Sequence, residues 1–312
     1  MMGGYRDGSI LRKASAAGER QRVDQPIASL ACRAMSETAY PARGLRPTSG
    51  LAYYLRVLHV VGRVEFKAKY AGAVFGYAWS LAKPLAYFGV LWLVFAYLLR
   101  TANQTKNFTI YLLIGILLFT FFVDTVGVML TSIVAGGSIL RRLAFPPILV
   151  PLSASVGTCM TFLANISAIV VFIAIGRVAP RVEWLLVVPL LAELYVFSLG
   201  VGLLFAALYV RFRDISQIWE VGAQLLFFGS AIFYPIGILP AWAQKVAFLN
   251  PFLQIMQDVR HAVLGAGGPN DLTVTDVYGV GGRLIPIGIA VLIFVGALAF
   301  FRREGRYFAE RV

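Results

Sequence analysis

Charged side chains are scarce in this sequence. Asp, Glu, Lys and Arg make up only 14% of the 312 residues, against about 25% in a typical soluble domain. Hydrophobic residues reach 59%, and the mean hydropathy is +0.77. Uncharged apolar runs of roughly 18 residues or more can cross a bilayer as helices, and residues 148–175 and 284–301 are such runs. The composition therefore excludes an ordinary soluble protein and predicts an all-α polytopic membrane protein.

Motifs of enzymatic catalysis and metal binding are absent from the sequence. No P-loop pattern GxxxxGK followed by Ser or Thr occurs, so the chain is not expected to bind ATP in that way. HExxH and GxSxG are missing, acidic residues never adjoin, and Cys32 and Cys159 show no disulfide or metal spacing. We predict that this chain is not an enzyme and that it holds no cofactor or metal.

A clustered basic surface is also missing, although the formal net charge is +13. Of the 28 Lys and Arg residues, 13 precede residue 84, and they are spread along that segment. A nucleic-acid reader concentrates its positive charge on one face. The sequence therefore predicts no nucleic-acid partner.

Six transmembrane spans are predicted from the apolar runs, at 84–100, 108–133, 148–175, 184–210, 217–236 and 284–302. With the N terminus inside, 21 of the 28 Lys and Arg residues fall on the cytoplasmic side, as the positive-inside rule expects. Both termini are therefore predicted to be cytoplasmic. We interpret the polar, arginine-rich residues 1–50 as a disordered basic tail and residues 71–312 as the six-helix transmembrane domain.

An amphipathic helix is predicted at 51–70, ahead of the first span. Arg56, His59, Arg63 and Lys67 recur at spacings of three and four residues and so share one helical face. Such a helix can lie in the inner membrane interface with its basic groups toward lipid phosphates. A solvated helix that packs against a partner protein is the alternative.

The long outer segment between the fifth and sixth spans is predicted to contain two short amphipathic helices. Asn250 is suited to cap one of them, Pro251 to occupy its first position and Gly265 to end it. This helix has an apolar stripe opposite a polar stripe of Gln254, Gln257, Asp258 and His261. The stretch LPAWAQKVAFL before it predicts the second helix. We expect both helices to dip into the outer membrane face or to lie on it.

Acidic and aromatic residues within the spans leave two questions open. Asp124 and Glu193 lie in mid-span, where a charge is costly and serves either a polar lining or an inter-helix pair. The fifth span and its exit are dense in aromatic residues, which either pack in the core and against lipid or line a path where sugar rings can stack. The first span adds further aromatic residues.

The order of several motifs resembles a known family, the membrane subunit of ABC-2-type exporters of lipid-linked polysaccharides. These motifs are the amphipathic helix, KYAGAVFGYAWSLAKP, ILRRLAFPPILVP, YVRFRDI after the fourth span, SAIFYP and LNPF. The resemblance covers residues 51–312. It extends to exporters of O-antigen, teichoic acid and mycobacterial galactan, and the excess of Arg over Lys leans toward a galactan carrier.

The resemblance implies a bacterial cytoplasmic-membrane dimer of two such subunits with two separate ATPase subunits, which bind ATP and Mg²⁺. It assigns ATPase coupling to Arg141, Arg142, Leu143, Phe145, Pro146, Arg211, Arg213 and Asp214; channel lining to Tyr87, Phe88, Trp92, Phe227, Phe228, Phe233 and Tyr234; an outer gate to Pro235, Trp242, Asn250, Pro251 and Phe252; and head-group guidance to Arg56, His59, Arg63 and Lys67. In the coupling segment, the arginines supply charge-assisted hydrogen bonds and the prolines end the helix.

Three other functions stay open at the level of the sequence. An ABC-2 drug or small-lipid exporter shares the topology but does not need a wide aromatic channel. A polyprenyl-phosphate glycosyltransferase needs a catalytic cluster of charged residues at one interface, which the sequence lacks. A structural membrane scaffold gives no reason for the two basic cytoplasmic loops.

Overall fold

A computed structural model describes residues 58, 62, 78–98, 107–136, 146–265, 272–305 and 308. Over these residues, every regular element is a helix and no strand occurs. The predicted tail at 1–50 lies outside the described residues. So does the predicted interfacial helix at 51–70, apart from Leu58 and Gly62, which are both helical.

Five helical segments are long and apolar enough to cross a membrane. They contain the helices α1 (Ala78–Trp92), α2 (Phe108–Ala135), α3 (Leu149–Ile175), α4 (Val187–Arg211) and α9 (Leu284–Glu304). A π-helical segment, Leu93–Leu98, extends α1, and the 3-10 helices Val182–Leu186 and Val280–Arg283 lead into α4 and α9. These five confirm the predicted first, second, third, fourth and sixth spans to within six residues at each end.

The predicted fifth span is shorter in the structure than the sequence suggested. The helix α5 runs from Ile215 to Gly229 and has 15 residues, which at 1.5 Å per residue gives about 22 Å against the roughly 30 Å of a bilayer core. The predicted end of this span at residue 236 is wrong, because the helix ends at Gly229. Ala231 just beyond it has a positive φ of 50°, a left-handed conformation that cannot continue an α-helix.

The helix α2 is the centre of the bundle. About two thirds of its most apolar stretch is buried. The helix packs against both α3 and α4, and α9 packs against α4. Close approach of α4 and α9 depends on Gly200, since a Cβ there would lie 2.9 Å from the Cα atom of Phe294. Small residues at such a contact let helix backbones approach in lipid.

Two pairs of polar side chains inside the bundle are hydrogen-bonded between helices. Thr125 on α2 and Thr158 on α3 share a buried hydrogen bond of 2.9 Å, and Ser155 on α3 shares one of 2.9 Å with Tyr195 on α4. A hydroxyl buried without a partner would cost free energy in an apolar interior. These pairs therefore fix how α2, α3 and α4 sit against one another.

Three short helices follow α5: α6 (Ala241–Phe248), α7 (Pro251–Leu264) and α8 (Val274–Tyr278). A small apolar cluster holds them together, formed by Ala231, Ile236, Phe248, Leu253 and Val274. Thr273 and Asp276 form a capping box at the start of α8, and the hydrogen bond from the Thr273 amide lowers the pKa of the Asp276 carboxyl. The two short helices predicted between the fifth and sixth spans are thus confirmed as α6 and α7.

Candidate functional site

An aromatic cluster lies where α1 meets α5. Tyr87 on α1 is 5.6 Å from Phe227 on α5, and Phe95 is 4.8 Å from Phe233, measured between ring centroids. The rings of the cluster contact one another edge to face or tilted, which are favourable geometries for aromatic pairs. We call this group the aromatic cluster; its members are Tyr87, Phe95, Phe227, Phe228, Phe233 and Tyr234.

The predicted channel residues divide into two groups by exposure. Tyr87 and Phe228 present more than half of their surface, whereas Phe227 is 5% exposed and forms the inner part of the cluster. Phe88 is buried against Phe172 of α3 and lies apart from the cluster. Trp92 donates a hydrogen bond of 3.0 Å to Thr109 at the start of α2. Among the predicted channel residues, the exposed ones are thus Tyr87, Trp92 and Phe228.

Phe95 is a member of the cluster that the sequence reading did not select. It lies in the π-helical extension of α1, three residues after Trp92. Residues three apart share a helical face, and this spacing was the available signal.

The helix α7 begins and ends at the predicted residues. The Asn250 side chain accepts a hydrogen bond of 3.0 Å from the Phe252 amide, Pro251 occupies the first position and Gly265 ends the helix with a φ of 74°. Asn250 also donates to the Ser230 hydroxyl at 3.4 Å. The cap thus ties the start of α7 to the chain just after α5.

Burial of α7 is far more complete than its amphipathic sequence suggests. All of its residues except His261 are buried, and it packs against α2 and α4. The predicted polar stripe does not face water, since Gln254, Gln257 and Asp258 are at most 2% exposed. The helix therefore packs inside the bundle, and its predicted position at the outer membrane face stays a prediction. Among the other predicted gate residues, Phe252 and Pro235 are buried and Trp242 is exposed.

Arg260 is a buried charge on α7, beside the predicted polar stripe of that helix. Its side chain is fully buried and donates to three backbone carbonyls: Tyr111 at 3.0 Å, Ala231 at 3.1 Å and Ile232 at 2.7 Å. The guanidinium carbon also lies 3.6 Å from the centre of the Tyr111 ring, which places the cation over an aromatic face. The sequence analysis gave Arg260 no role. The signal it missed was position: Met256 and Leu264, four residues away on either side, are apolar.

A second buried charge on α7 is Asp258. Its Oδ2 atom accepts hydrogen bonds from Gln254 at 2.7 Å and from the Arg283 Nε at 3.1 Å, and it lies 3.0 Å from the Arg283 Nη2 in an ion pair. The Asp258 side chain is fully buried and that of Arg283 is 39% exposed. Glu193 of α4 is close enough to interact electrostatically with both. The ion pair beside Glu193 joins Arg283 to Asp258 of α7, and the buried Glu193 Oε1 atom has no hydrogen-bond partner among the described residues, so the predicted role of Glu193 stays a prediction.

At the predicted cytoplasmic end, the residues after α4 are open to solvent. Arg211, Arg213 and Asp214 are exposed, and each guanidinium lies 5.2 Å from a neighbouring ring centroid, Arg211 over Phe212 and Arg213 over Tyr209. Pro146 is exposed and precedes the first turn of α3. Arg141, Arg142, Leu143 and Phe145 lie outside the described residues.

The predicted head-group residues Arg56, His59, Arg63 and Lys67 also lie outside the described residues. Gly62, between them in sequence, is buried, and a Cβ there would lie 2.6 Å from a methyl carbon of Val156. The chain near residue 62 therefore packs on the first half of α3. Among the described residues, no group of three or more His, Cys, Asp or Glu could hold a metal ion.

Five of the helices are long and apolar, and the amphipathic helix α7 is buried between the last two predicted spans. These features define a multi-pass helical membrane protein. The chain belongs to the ABC-2 type transporter family, whose model matches residues 56–264.

Three relatives show how far the similarity extends. The chain is 27% identical over 248 residues to the O-antigen export system permease protein RfbA of Klebsiella pneumoniae, which covers 79% of this chain and 95% of that protein. It is 26% identical over 215 residues to the O-antigen export system permease protein RfbA of Myxococcus xanthus, covering 68% and 82%. It is 21% identical over 242 residues to the polysialic acid transport protein KpsM of Escherichia coli, covering 77% and 90%.

Proposed function

We propose that this chain is the permease subunit of an ATP-driven exporter that moves a lipid-linked polysaccharide, galactan or O-antigen-like, outward across the bacterial cytoplasmic membrane. The observation that carries the proposal is the similarity, along 68–79% of the chain, to permeases named for O-antigen and polysialic acid transport. The family membership supports the assignment of the chain as the membrane part of such a system. ATP and Mg²⁺ are then held by a separate ATPase subunit.

The aromatic cluster suits this cargo. Sugar rings carry apolar C–H faces that stack on aromatic side chains, and such contacts tolerate sliding because they are not directional hydrogen bonds. Tyr87 and Phe228 are exposed on neighbouring helices, beside further exposed apolar residues of α1 and α5 such as Val90 and Leu225. A second copy that places its own α1 and α5 opposite would enclose a path with aromatic walls.

The ATPase contact is proposed at the cytoplasmic face. Arg141 and Arg142 would donate charge-assisted hydrogen bonds to an acidic groove of the ATPase, and Phe145 would insert an apolar anchor. Exposed Arg211 and Arg213 after α4 offer a second contact in the same orientation. Two permease copies and two ATPase subunits, with both termini of this chain in the cytoplasm, complete the proposed assembly.

Depletion of the protein in its host tests the proposed cargo. We expect complete lipid-linked polymer to accumulate on the cytoplasmic side of the membrane, because synthesis continues while export stops. Extraction of lipid-linked glycans, with a periplasm-restricted glycosidase to report their sidedness, measures this. Loss of the polymer or an early intermediate would favour a biosynthetic enzyme, and unchanged glycans would favour a small-lipid or drug exporter.

A further inference from the structure

Three parts of the chain meet at the Arg260 side chain. Tyr111 belongs to the first turn of α2, Ala231 and Ile232 to the bend just after α5, and Arg260 itself to α7. We call residues 230–232 the elbow. Each part supplies a carbonyl or the guanidinium itself, so no two of them can separate without breaking a hydrogen bond to the same cation.

The site is built around the arginine. Gly115 of α2 faces it, and a Cβ at that position would contact the Arg260 Nη2 atom. The Tyr111 ring covers the guanidinium on one side, and Gln257 accepts from it at 3.4 Å one turn earlier on α7. A planar five-donor cation fills this space in a way that a lysine ammonium does not.

Burial makes this junction hard to open. Moving α7 away from the elbow would leave a guanidinium without its carbonyls in an apolar interior, where an unpaired charge is strongly disfavoured. Another polar attachment of α7, the pair of Asp258 with Arg283, differs because Arg283 is 39% exposed and water can reach it. The attachments made by Arg260 and Asp258 are therefore unequal in strength.

We propose that Arg260 is a positioning residue that joins the outer end of α2, the second half of α5 with its elbow, and α7 into one rigid block. The outer gate then opens by displacement of this block as a whole, and α7 does not swing as a separate flap. This inference rests on the proposed role of α7 in an outer gate. The gate then moves at the boundaries of the block, for example at the contact between buried Asp258 and partly exposed Arg283.

Distances between spin labels test the rigidity directly. Leu225 on α5 and Leu249 just before α7 are both exposed, so cysteines there can be labelled after Cys32 and Cys159 are replaced by alanine. Doubly labelled chains are mixed with an excess of unlabelled chains, so that each complex carries one label pair. We expect one narrow distribution of the distance between the two labels, the same without nucleotide and with ATP trapped. A change of that distance between the two states in the unsubstituted background would overturn the proposal.

Substitution of Arg260 tests whether this residue holds the block together. Arg260→Met should broaden the label distance and reduce export at least tenfold while ATP hydrolysis by the complex continues. Arg260→Lys should give an intermediate effect. A narrow, unchanged distribution in Arg260→Met would show that other contacts hold the block and would refute the positioning role. Export in the unsubstituted protein is measured in parallel, so failure of the proposed function itself is seen there and not in the distances.

A second set of variants tests the packing around Arg260 even if Arg260→Met folds poorly. Gly115→Ala should impair export strongly when Arg260 is intact, because its methyl group collides with the guanidinium. The same substitution should cause a much smaller further loss when it is combined with Arg260→Lys, whose side chain lacks the guanidinium fork. Gly288→Ala on α9, with no neighbour within 4 Å, is the matched control and should have little effect. Equal losses from Gly115→Ala in both backgrounds would contradict the proposed packing.

Discussion

Replacing Arg283 with methionine is expected to destabilise the protein by about 3–5 kcal/mol, because it leaves a buried carboxylate without its cation. Asp258 is fully buried, accepts a hydrogen bond of 3.1 Å from the Arg283 Nε and lies 3.0 Å from the Arg283 Nη2 in an ion pair. Substituting the partner residue, Asp258→Asn, should lower the free energy of unfolding by clearly less. The amide keeps an oxygen for Gln254 or Arg283, and the freed guanidinium can reach solvent. Thermal and denaturant unfolding of the purified protein in detergent measures both changes.

The double variant separates this explanation from a general packing defect. Arg283→Met together with Asp258→Asn removes both charges, and it should recover much of the stability that Arg283→Met alone loses. If the two single variants lose equal stability and their effects simply add, the buried carboxylate is not the cause and the account of this pair is wrong.

Gly200→Ala should be the most damaging small substitution among the spans, with a loss of about 1–3 kcal/mol from overpacking. Its Cβ would lie 2.9 Å from the Cα atom and 3.0 Å from the amide nitrogen of Phe294. Backbone atoms cannot move aside, so α4 and α9 would have to separate, and these two helices pack closely along the bundle. The yield of monodisperse protein and its melting temperature measure the effect.

Two matched glycines provide the controls for Gly200. A Cβ at Gly202 meets the Met129 side chain, which is flexible and can adapt, so Gly202→Ala should cost less than Gly200→Ala. Gly296 on α9 has no neighbour within 4 Å, and Gly296→Ala should be neutral or slightly stabilising because alanine favours the helix. A melting temperature for Gly200→Ala that matches that of Gly296→Ala would contradict the close α4–α9 contact.

Local signals in the sequence predicted much of the fold. The apolar runs located five of the long helices because a bilayer-length stretch of uncharged residues has few alternatives. The caps of α7 were predictable because Asn250, Pro251 and Gly265 act through their own backbone neighbours. In each of these cases, the interaction that fixes the structure is within a few residues of the position predicted.

The errors arose where distant residues decide the structure. The end of α5 depends on the elbow, whose carbonyls bind Arg260, 29 residues after Ala231. The polar stripe of α7 was read as facing water or head groups, because periodicity shows that a face is polar but not what it contacts. Asp258 and Gln257 instead face other polar groups of the bundle. The residues with the strongest structural roles, Arg260 and Arg283, were therefore seen only as loop charges.

The central claim is that this chain forms the membrane path of an ATP-driven polysaccharide exporter. Inverted membrane vesicles, in which the cytoplasmic face is outside, test it most directly when they contain this chain, its ATPase and a lipid-linked polymer. We predict that added ATP makes the polymer resistant to an added glycosidase, and that Arg141→Ala, Arg142→Ala and Phe145→Ala together abolish this protection. Polymer that stays accessible to the glycosidase with ATP present, although both proteins are in the membrane, would contradict the account.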